Sequence, residues 1–530
     1  MKKAIKKLMA ALLAVALLCA MTVPAFAASA KDQPHSFAAY QIFSGTNSTG
    51  ESDTALGNIQ WGNGVNAQDF LTALQADETI GTDFTGIEFT DTACAKEVAA
   101  VVAKKYTDNS ANATIFARIA YANKASYSAT GSGSVDITNA GYYLFVDTTA
   151  FDASATDSVF GLALLKVAKN NSTVTPTVKA AQPTVTKTVY DNDDGTQKGS
   201  SDTNAEFGKS ADHAINESFQ FKLTAEIPAN NNFGAYKQYK VIFHDSMSQG
   251  ITFESLASVK ITSNGTTTDV TTSAAKTIAD GTAGAAEWTL TIDDIKTAVP
   301  GIDLTNGATV EVIYNAHLNE KAYVNTNDGP TTNKNTVYLE YSNNPNAGSE
   351  TSTGKTPEEA VYVFTYQITN TKYKNGVSAD NKLAGAKFRL YSDEKCTNEV
   401  SLYKGTDDFY YPITSGKNPV EMASDNNGAF SIKGLDAGVY YLHETGTPDG
   451  FNTCEDIKIV ISASHHCNAD QSSNVALTGS DHMKNDVINK TGATLPSTGG
   501  MGTTLFYVLG GGLMVAAVVL LVTKKRMENK

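Results

Sequence analysis

Through the middle of the chain, apolar and polar residues alternate. "SFQFKLTAEIP", "YKVIFHDSM", "ATVEVIYNAHL" and "NTVYLEYSN" each carry an apolar residue at every second position, the period of a half-buried β-strand. Turns rich in Thr, Gly and Asp separate them, which suits strand-to-strand connections. Further along, "LAGAKFRLY", "GAFSIKGLDAGVYYLHETGTPDGF" and "IKIVISA" predict another β-sandwich. Towards the N-terminus, "HSFAAYQIFSGT", "GYYLFVDTT" and "FGLALLKVAKN" read as strands around a helical pattern near Ala95 to Lys105. Two linker-like stretches, "TVTPTVKAAQP" and "NNPNAGSETSTGKTPEE", divide the body. The expected organisation is 1–27, 28–178, 179–355, 356–492 and 493–530. The fold class is all-β: tandem immunoglobulin-like β-sandwich domains with a C-terminal transmembrane helix.

The ends add a compartment. Four lysines, an apolar run and Ala25-Phe26-Ala27 make residues 1–27 a secretory signal peptide. At the other end, Leu495, Pro496, Ser497, Thr498 and Gly499 precede an uncharged apolar segment, Leu505 to Val522, and the basic tail "KKRMENK". Eighteen residues of helix at about 1.5 Å each span roughly 27 Å, close to a bilayer's hydrocarbon core. The basic tail stays cytoplasmic by the positive-inside rule.

Charge narrows the function. Residues 28–499 carry 33 basic and 54 acidic side chains, a net of −21. Such a surface argues against nucleic-acid binding. Only three arginines are present (Arg118, Arg389, Arg526), which disfavours phosphate recognition. Cys94 stands alone in its region, and an extracellular setting permits one disulfide among Cys396, Cys454 and Cys467. His465-His466-Cys467 is expected in a solvent loop, and "DNDDGT" at 191–196 in a hairpin turn. No metal or cofactor is expected. There is no Ser/His/Asp elbow and no H-E-x-x-H, so no turnover enzyme is expected.

The alternation also places polar groups where a core should be. Lys187 lies between Val185 and Val189 on one strand face. Asp245 shares a face with Val241 and Phe243, and Asn335 with Val337, Leu339 and Tyr341. Glu217, alternating with Phe219 and Phe221, is the other candidate acid. The next region repeats the arrangement: Lys372 follows Phe364, Tyr366 and Ile368, Glu444 follows Tyr440 and Leu442, and Asn489 follows Val487. Burial disfavours charge, so the amine becomes neutral and nucleophilic while the carboxyl holds its proton. That acid polarises the asparagine carbonyl and moves protons. The amine attacks, ammonia leaves and a lysine–asparagine isopeptide bond remains. No such triad is evident in the first region.

Several of these features together resemble a known family. The pentapeptide, helix and basic tail look like the cell-wall sorting signal of Gram-positive surface proteins, in which a sortase cuts between Thr and Gly, here Thr498 and Gly499. The third region resembles Cna-B repeats, with "YYLHETGTPDGF" similar to their E-box. Over essentially its full length the chain resembles LPXTG-anchored major pilins of sortase-assembled fimbriae. The resemblance implies sortase, peptidoglycan and further pilin subunits as partners, in a covalent homopolymer that meets host surface ligands. It also implies Lys–Asp/Glu–Asn triads in Cna-type sandwiches. The family's acceptor lysine lies in a Tyr-Pro-Lys motif, absent here; Lys179 in "TPTVK" holds that place, with Lys166 and Lys169 as alternatives. The competing reading is a monomeric wall-anchored adhesin or ancillary pilin.

Overall fold

The computed structural model describes residues 35–493 and 502–528, apart from 48–55, 91–92, 109, 150–160, 177–181, 192–206, 230–235, 237, 274–275, 280–285, 303, 305, 325–332, 345–351, 415, 468–472 and 479–482. The signal peptide, Lys179, residues 192–196 of the acidic turn and Leu495 to Gly499 lie outside the described residues.

The first region is a sheet with helices. Strands β1 (Ser36–Asn47), β2 (Leu56–Trp61), β3 (Ala129–Ser132), β4 (Gly141–Asp147) and β5 (Leu162–Val167) form one sheet in which β1 pairs with β2, β3 and β4. Helix α2 (Ala93–Lys105) occupies the expected helical stretch, but α1 (Ala67–Ala76) and α3 (Ala111–Ala122) accompany it. The all-β pattern therefore gives way here to a mixed layer. The reason is packing: Phe70 and Leu74 of α1 and Phe116 of α3 meet Ile42 and Leu144 of the sheet in one core. Ser110 caps α3, its Oγ accepting from Ala113 N at 3.2 Å.

The second region is a sandwich. One sheet holds β6 (Thr184–Tyr190), β7 (Ser218–Ile227), β9 (Ile251–Ser263) and β11 (Ala308–Leu318), in the order β9-β11-β7-β6. The opposing sheet holds β8 (Val241–Met247), β10 (Glu287–Ile292), β12 (Asn333–Ser342) and β13 (Glu359–Phe364), in the order β13-β12-β8-β10. Strict alternation of burial along β11 and β12 fits two sheets with one shared core.

β13 lies C-terminal to the expected 355/356 division, yet it pairs with β12 from Asn333–Val363 to Val337–Glu359. Its alternate faces serve two cores. Val361 and Val363 join the second region's core, while Ala360, Tyr362 and Phe364 join the third's.

The third region is again two sheets. β14 (Tyr366–Lys374) lies between β16 (Ile432–Leu435) and β19 (Lys484–Asn489), and β17 (Gly438–Gly446) lies between β15 (Lys387–Tyr391) and β18 (Ile457–Cys467). β18 carries straight through His465, so the expected solvent loop is strand. His465 is buried and stacks on Phe364, because this end of β18 packs against the second region. The disulfide that an extracellular setting permits is absent among the described residues: Cys94, Cys396, Cys454 and Cys467 are all thiols. Cys454 turns inward to Lys372 while Cys396 faces Asp456. Helix α4 (Gly502–Glu528) is apolar and long enough from Phe506 to cross a membrane.

Candidate functional site

The six candidate residues, Lys187, Asp245, Asn335, Lys372, Glu444 and Asn489, all sit inside the two sandwiches, none more than 3 % exposed. Strand alternation puts them there, since each shares a face with the apolar residues around it.

In the second region the cluster bridges the sheets. Lys187 stands on β6, across Leu223 of β7, in one sheet. Asp245 and Asn335 project from neighbouring strands of the other, where β8 and β12 pair Asp245 with Val337 and Met247 with Asn335. That register makes the acid and the amide diagonal neighbours on one face. Lys187 Nζ donates to the Asp245 carboxyl, to Asn335 Oδ1 at 2.7 Å and to the Thr336 carbonyl at 3.3 Å. Burial pushes the Lys187 amine down to about 8, against the pull of Asp245. Burial also pushes Asp245 up, against the pull of Lys187. Both groups are driven towards their neutral forms, the pair needed for an amine to attack an amide.

One participant was missed in the sequence. Tyr314 on β11 is fully buried, and its hydroxyl lies 3.1 Å from both Asp245 oxygens and 3.2 Å from Lys187 Nζ. It also accepts from Asn335 Nδ2 at 2.7 Å. The signal was present, because Tyr314 shares its strand face with Val310 and Val312; a tyrosine among valines reads as ordinary core. Glu217, the other candidate acid, is elsewhere. It accepts from Ala214 N at 3.1 Å and lies near His213.

The third region builds the cluster differently. β14 and β19 run parallel, pairing Lys372 with Val487 and Lys374 with Asn489, so amine and amide share one sheet. Glu444 reaches in from the opposing sheet, where β17 pairs it with Phe388. Lys372 Nζ donates to Asn489 Oδ1 at 2.5 Å and lies 3.3 Å from Glu444 Oε1. That same Oε1 accepts from Asn489 Nδ2 at 2.7 Å. One carboxyl oxygen therefore touches both the amine nitrogen and the amide nitrogen, the placement a proton shuttle between them would need. Glu444 Oε2 is held by the Cys454 backbone N–H at 2.8 Å. The Cys454 thiol, 3.6 Å from Lys372 Nζ, is pushed up to about 11, chiefly by burial.

The clusters are not equivalent in connection. Asn335 is not on the last strand of its sheet, because Thr353–Lys355 and β13 follow and both pair with β12. A Lys187–Asn335 link joins opposing sheets, whereas a Lys372–Asn489 link joins adjacent strands. Of the candidate acceptors, Lys166 and Lys169 are exposed at the edge of the first region.

Residues 366–474 match the family described as SpaA, a prealbumin-like fold domain. Residues 488–529 match the LPXTG cell wall anchor motif. No curated protein matches the chain. Among solved structures, the T6 backbone pilin of serotype M6 Streptococcus pyogenes is 16% identical, over 87% of this chain and 96% of that one, with a TM-score of 0.48. The full-length major pilin SpaD from Corynebacterium diphtheriae is also 16% identical, over 87% and 93%, with a TM-score of 0.40. The 35 kDa C-terminal fragment of the major pilin GBS80 of Streptococcus agalactiae is 21% identical, over 58% of this chain and 100% of the fragment, with a TM-score of 0.40. Likenesses at these scores leave the argument to the two matched segments: the chain is a secreted surface protein of the Gram-positive cell wall, LPXTG-anchored and carrying a SpaA prealbumin-like domain.

Proposed function

We propose that this protein is the polymerising shaft subunit of a sortase-assembled pilus, with the second and third regions each locked by an intramolecular isopeptide bond. The observation that carries the reading is the pair of buried amine–carboxyl–amide clusters ahead of a wall-sorting signal. In each, the bond forms between lysine Nζ and asparagine Cγ, the Cγ–Nδ2 bond breaks, and the amine's proton leaves with the amide nitrogen as ammonia. Packing holds the partners in contact, which removes much of the entropic barrier. The product amide cannot ionise, so no ammonium can form again inside the core. The reaction occurs once per site and turns over no substrate.

Polymerisation uses the other end. A sortase takes the Thr498 carbonyl of one subunit and passes it to a lysine of the next, with Lys179 as the acceptor by position and Lys166 and Lys169 as alternatives. The final acceptor is peptidoglycan, and the finished fibre presents the chain to host surfaces. Support comes from the LPXTG match and from the linker position of Lys179 between the first and second regions. The test is a wall extract run under denaturing conditions. Wild type gives a high-molecular-weight ladder and Lys179→Ala collapses it to monomer. A wild type without a ladder favours the monomeric wall-anchored adhesin.

A further inference from the structure

Where the second region meets the third, a polar cluster lies apart from both lysine sites. His213, 1 % exposed, follows the short strand Ser210–Asp212 and stacks on Phe219 with ring centroids 4.2 Å apart. Its Nε2 meets the Tyr190 carbonyl at 2.7 Å. A carbonyl can only accept, so Nε2 carries a proton, and in the neutral ring Nδ1 presents a lone pair. Nδ1 has no hydrogen-bond partner among the described residues. It faces Glu217 Oε1 at 3.5 Å, and Asp436, in the turn between β16 and β17, brings another carboxylate. One ligand atom from each of the three residues lies within 4.8 Å of the others. A lone pair set against carboxylates is repulsive unless a proton or a metal ion lies between them, and the long 3.5 Å separation suits the metal ion.

The geometry points to a divalent-cation site of the zinc class, made by His213 Nδ1, Glu217 and Asp436, that clamps the second region to the third. The His213–Glu217 spacing fits. Ligands held at about 2.0–2.2 Å around a tetrahedral ion stand roughly 3.3–3.6 Å apart, a range that includes the 3.5 Å seen between Nδ1 and Oε1. A charge-assisted hydrogen bond would close to about 2.7–2.9 Å. Each ligand is also oriented from behind: His213 by the Tyr190 carbonyl, Glu217 Oε2 by Ala214 N–H at 3.1 Å, and Asp436 Oδ1 by Ala437 N–H at 2.8 Å. Such outer partners fix the tautomer and the carboxylate rotamers of metal ligands. The charges balance, since two carboxylates and a neutral imidazole leave a doubly charged ion neutral overall. His213 and Glu217 belong to the second region and Asp436 to the third. Beside them the two regions meet through Ile215 N to the Gly434 carbonyl and Asn216 Nδ2 to the Pro412 carbonyl, both 2.8 Å. An ion here stiffens the joint between the two sandwiches.

The test uses the full-length chain in detergent, stripped with chelator and dialysed against zinc, with bound metal counted by elemental mass spectrometry. Every arm carries His443→Gln, which removes His443 from the exposed group Cys396, His443 and Asp456, another possible zinc ligand set. The parent should hold one more zinc per chain than either His213→Gln or Asp436→Asn, and zinc should raise the unfolding temperature of the parent only. Asp436→Asn keeps the Ala437 contact, so it guards against a His213 variant that merely misfolds. His465→Gln, in the neighbouring group with Asp191 and Asp212, should leave the count unchanged. Equal zinc in parent and both site variants, no zinc in the parent, or loss on His465→Gln alone overturns the proposal.

Discussion

Lys187 Nζ lies 2.7 Å from Asn335 Oδ1, although the two residues are 148 apart in sequence and stand on opposing sheets. Lys372 and Asn489 make the same contact at 2.5 Å from adjacent parallel strands. The same chemistry would therefore staple two sheets together in one sandwich and two neighbouring strands in the other. Tension across either sandwich would then load a covalent link in place of a ladder of hydrogen bonds.

The mature protein should be lighter than its sequence by two ammonia units. Lys187→Ala should restore one of them and lower the unfolding free energy of its sandwich by about 4–5 kcal/mol, the scale of a cross-link closing a long loop. Intact mass and calorimetry read both effects. A mature protein at the full sequence mass removes the isopeptide bonds.

Asn335→Ala leaves Lys187 with no amide to consume, so its proton becomes visible in stability. The folded amine titrates near 8 against 10.5 ordinarily. Between those values the unfolded chain holds a proton that the folded chain has released, so stability should rise with pH across that window. Asp245 acts oppositely, because its folded pKa is raised. Its contribution is present at low pH and fades as pH climbs through the folded value. Denaturant titrations of the variant over a pH series check both slopes, and a flat alkaline limb contradicts the burial argument.

Tyr314→Phe removes only the hydroxyl that touches Lys187, Asp245 and Asn335. Ammonia loss at the second-region site should slow by about 100-fold, the low end of what one preorganised hydrogen-bond group contributes. Loss at the Lys372 site should keep its rate. Timed mass spectra after synthesis separate the two sites, and equal slowing at both would point to general misfolding.

Alkylating the denatured mature protein without reductant should label Cys94, Cys396, Cys454 and Cys467, all of them thiols in the structure. Two labels fewer would mean a disulfide. Cys454→Ala should leave the Lys372–Asn489 bond intact, because Glu444 is held by the residue's backbone N–H and not by its sulfur.

Much of the site was legible because strand periodicity is a local property. Lys187, Asp245 and Asn335 could be placed on apolar faces from their neighbours alone, and so could Lys372, Glu444 and Asn489. Tyr314 escaped notice for the same reason: nothing local separates a core tyrosine from a participating one. Helices α1 and α3 escaped because short apolar spacings are ambiguous until a sheet offers a face to cover. His465 escaped because its burial comes from Ser210, 255 residues away in sequence.

Composition and spacing within a strand were enough for the address, the sandwich pattern and the polar residues that face the two cores, since each is a local property. The tertiary structure decided which strands became neighbours. It set Lys187 against Asn335 across two sheets and Lys372 beside Asn489 within one, shared β13 between two cores, and gathered His213, Glu217 and Asp436 at a joint. Those relations depend on contacts between distant segments, and alternation along one strand carries no record of its partners.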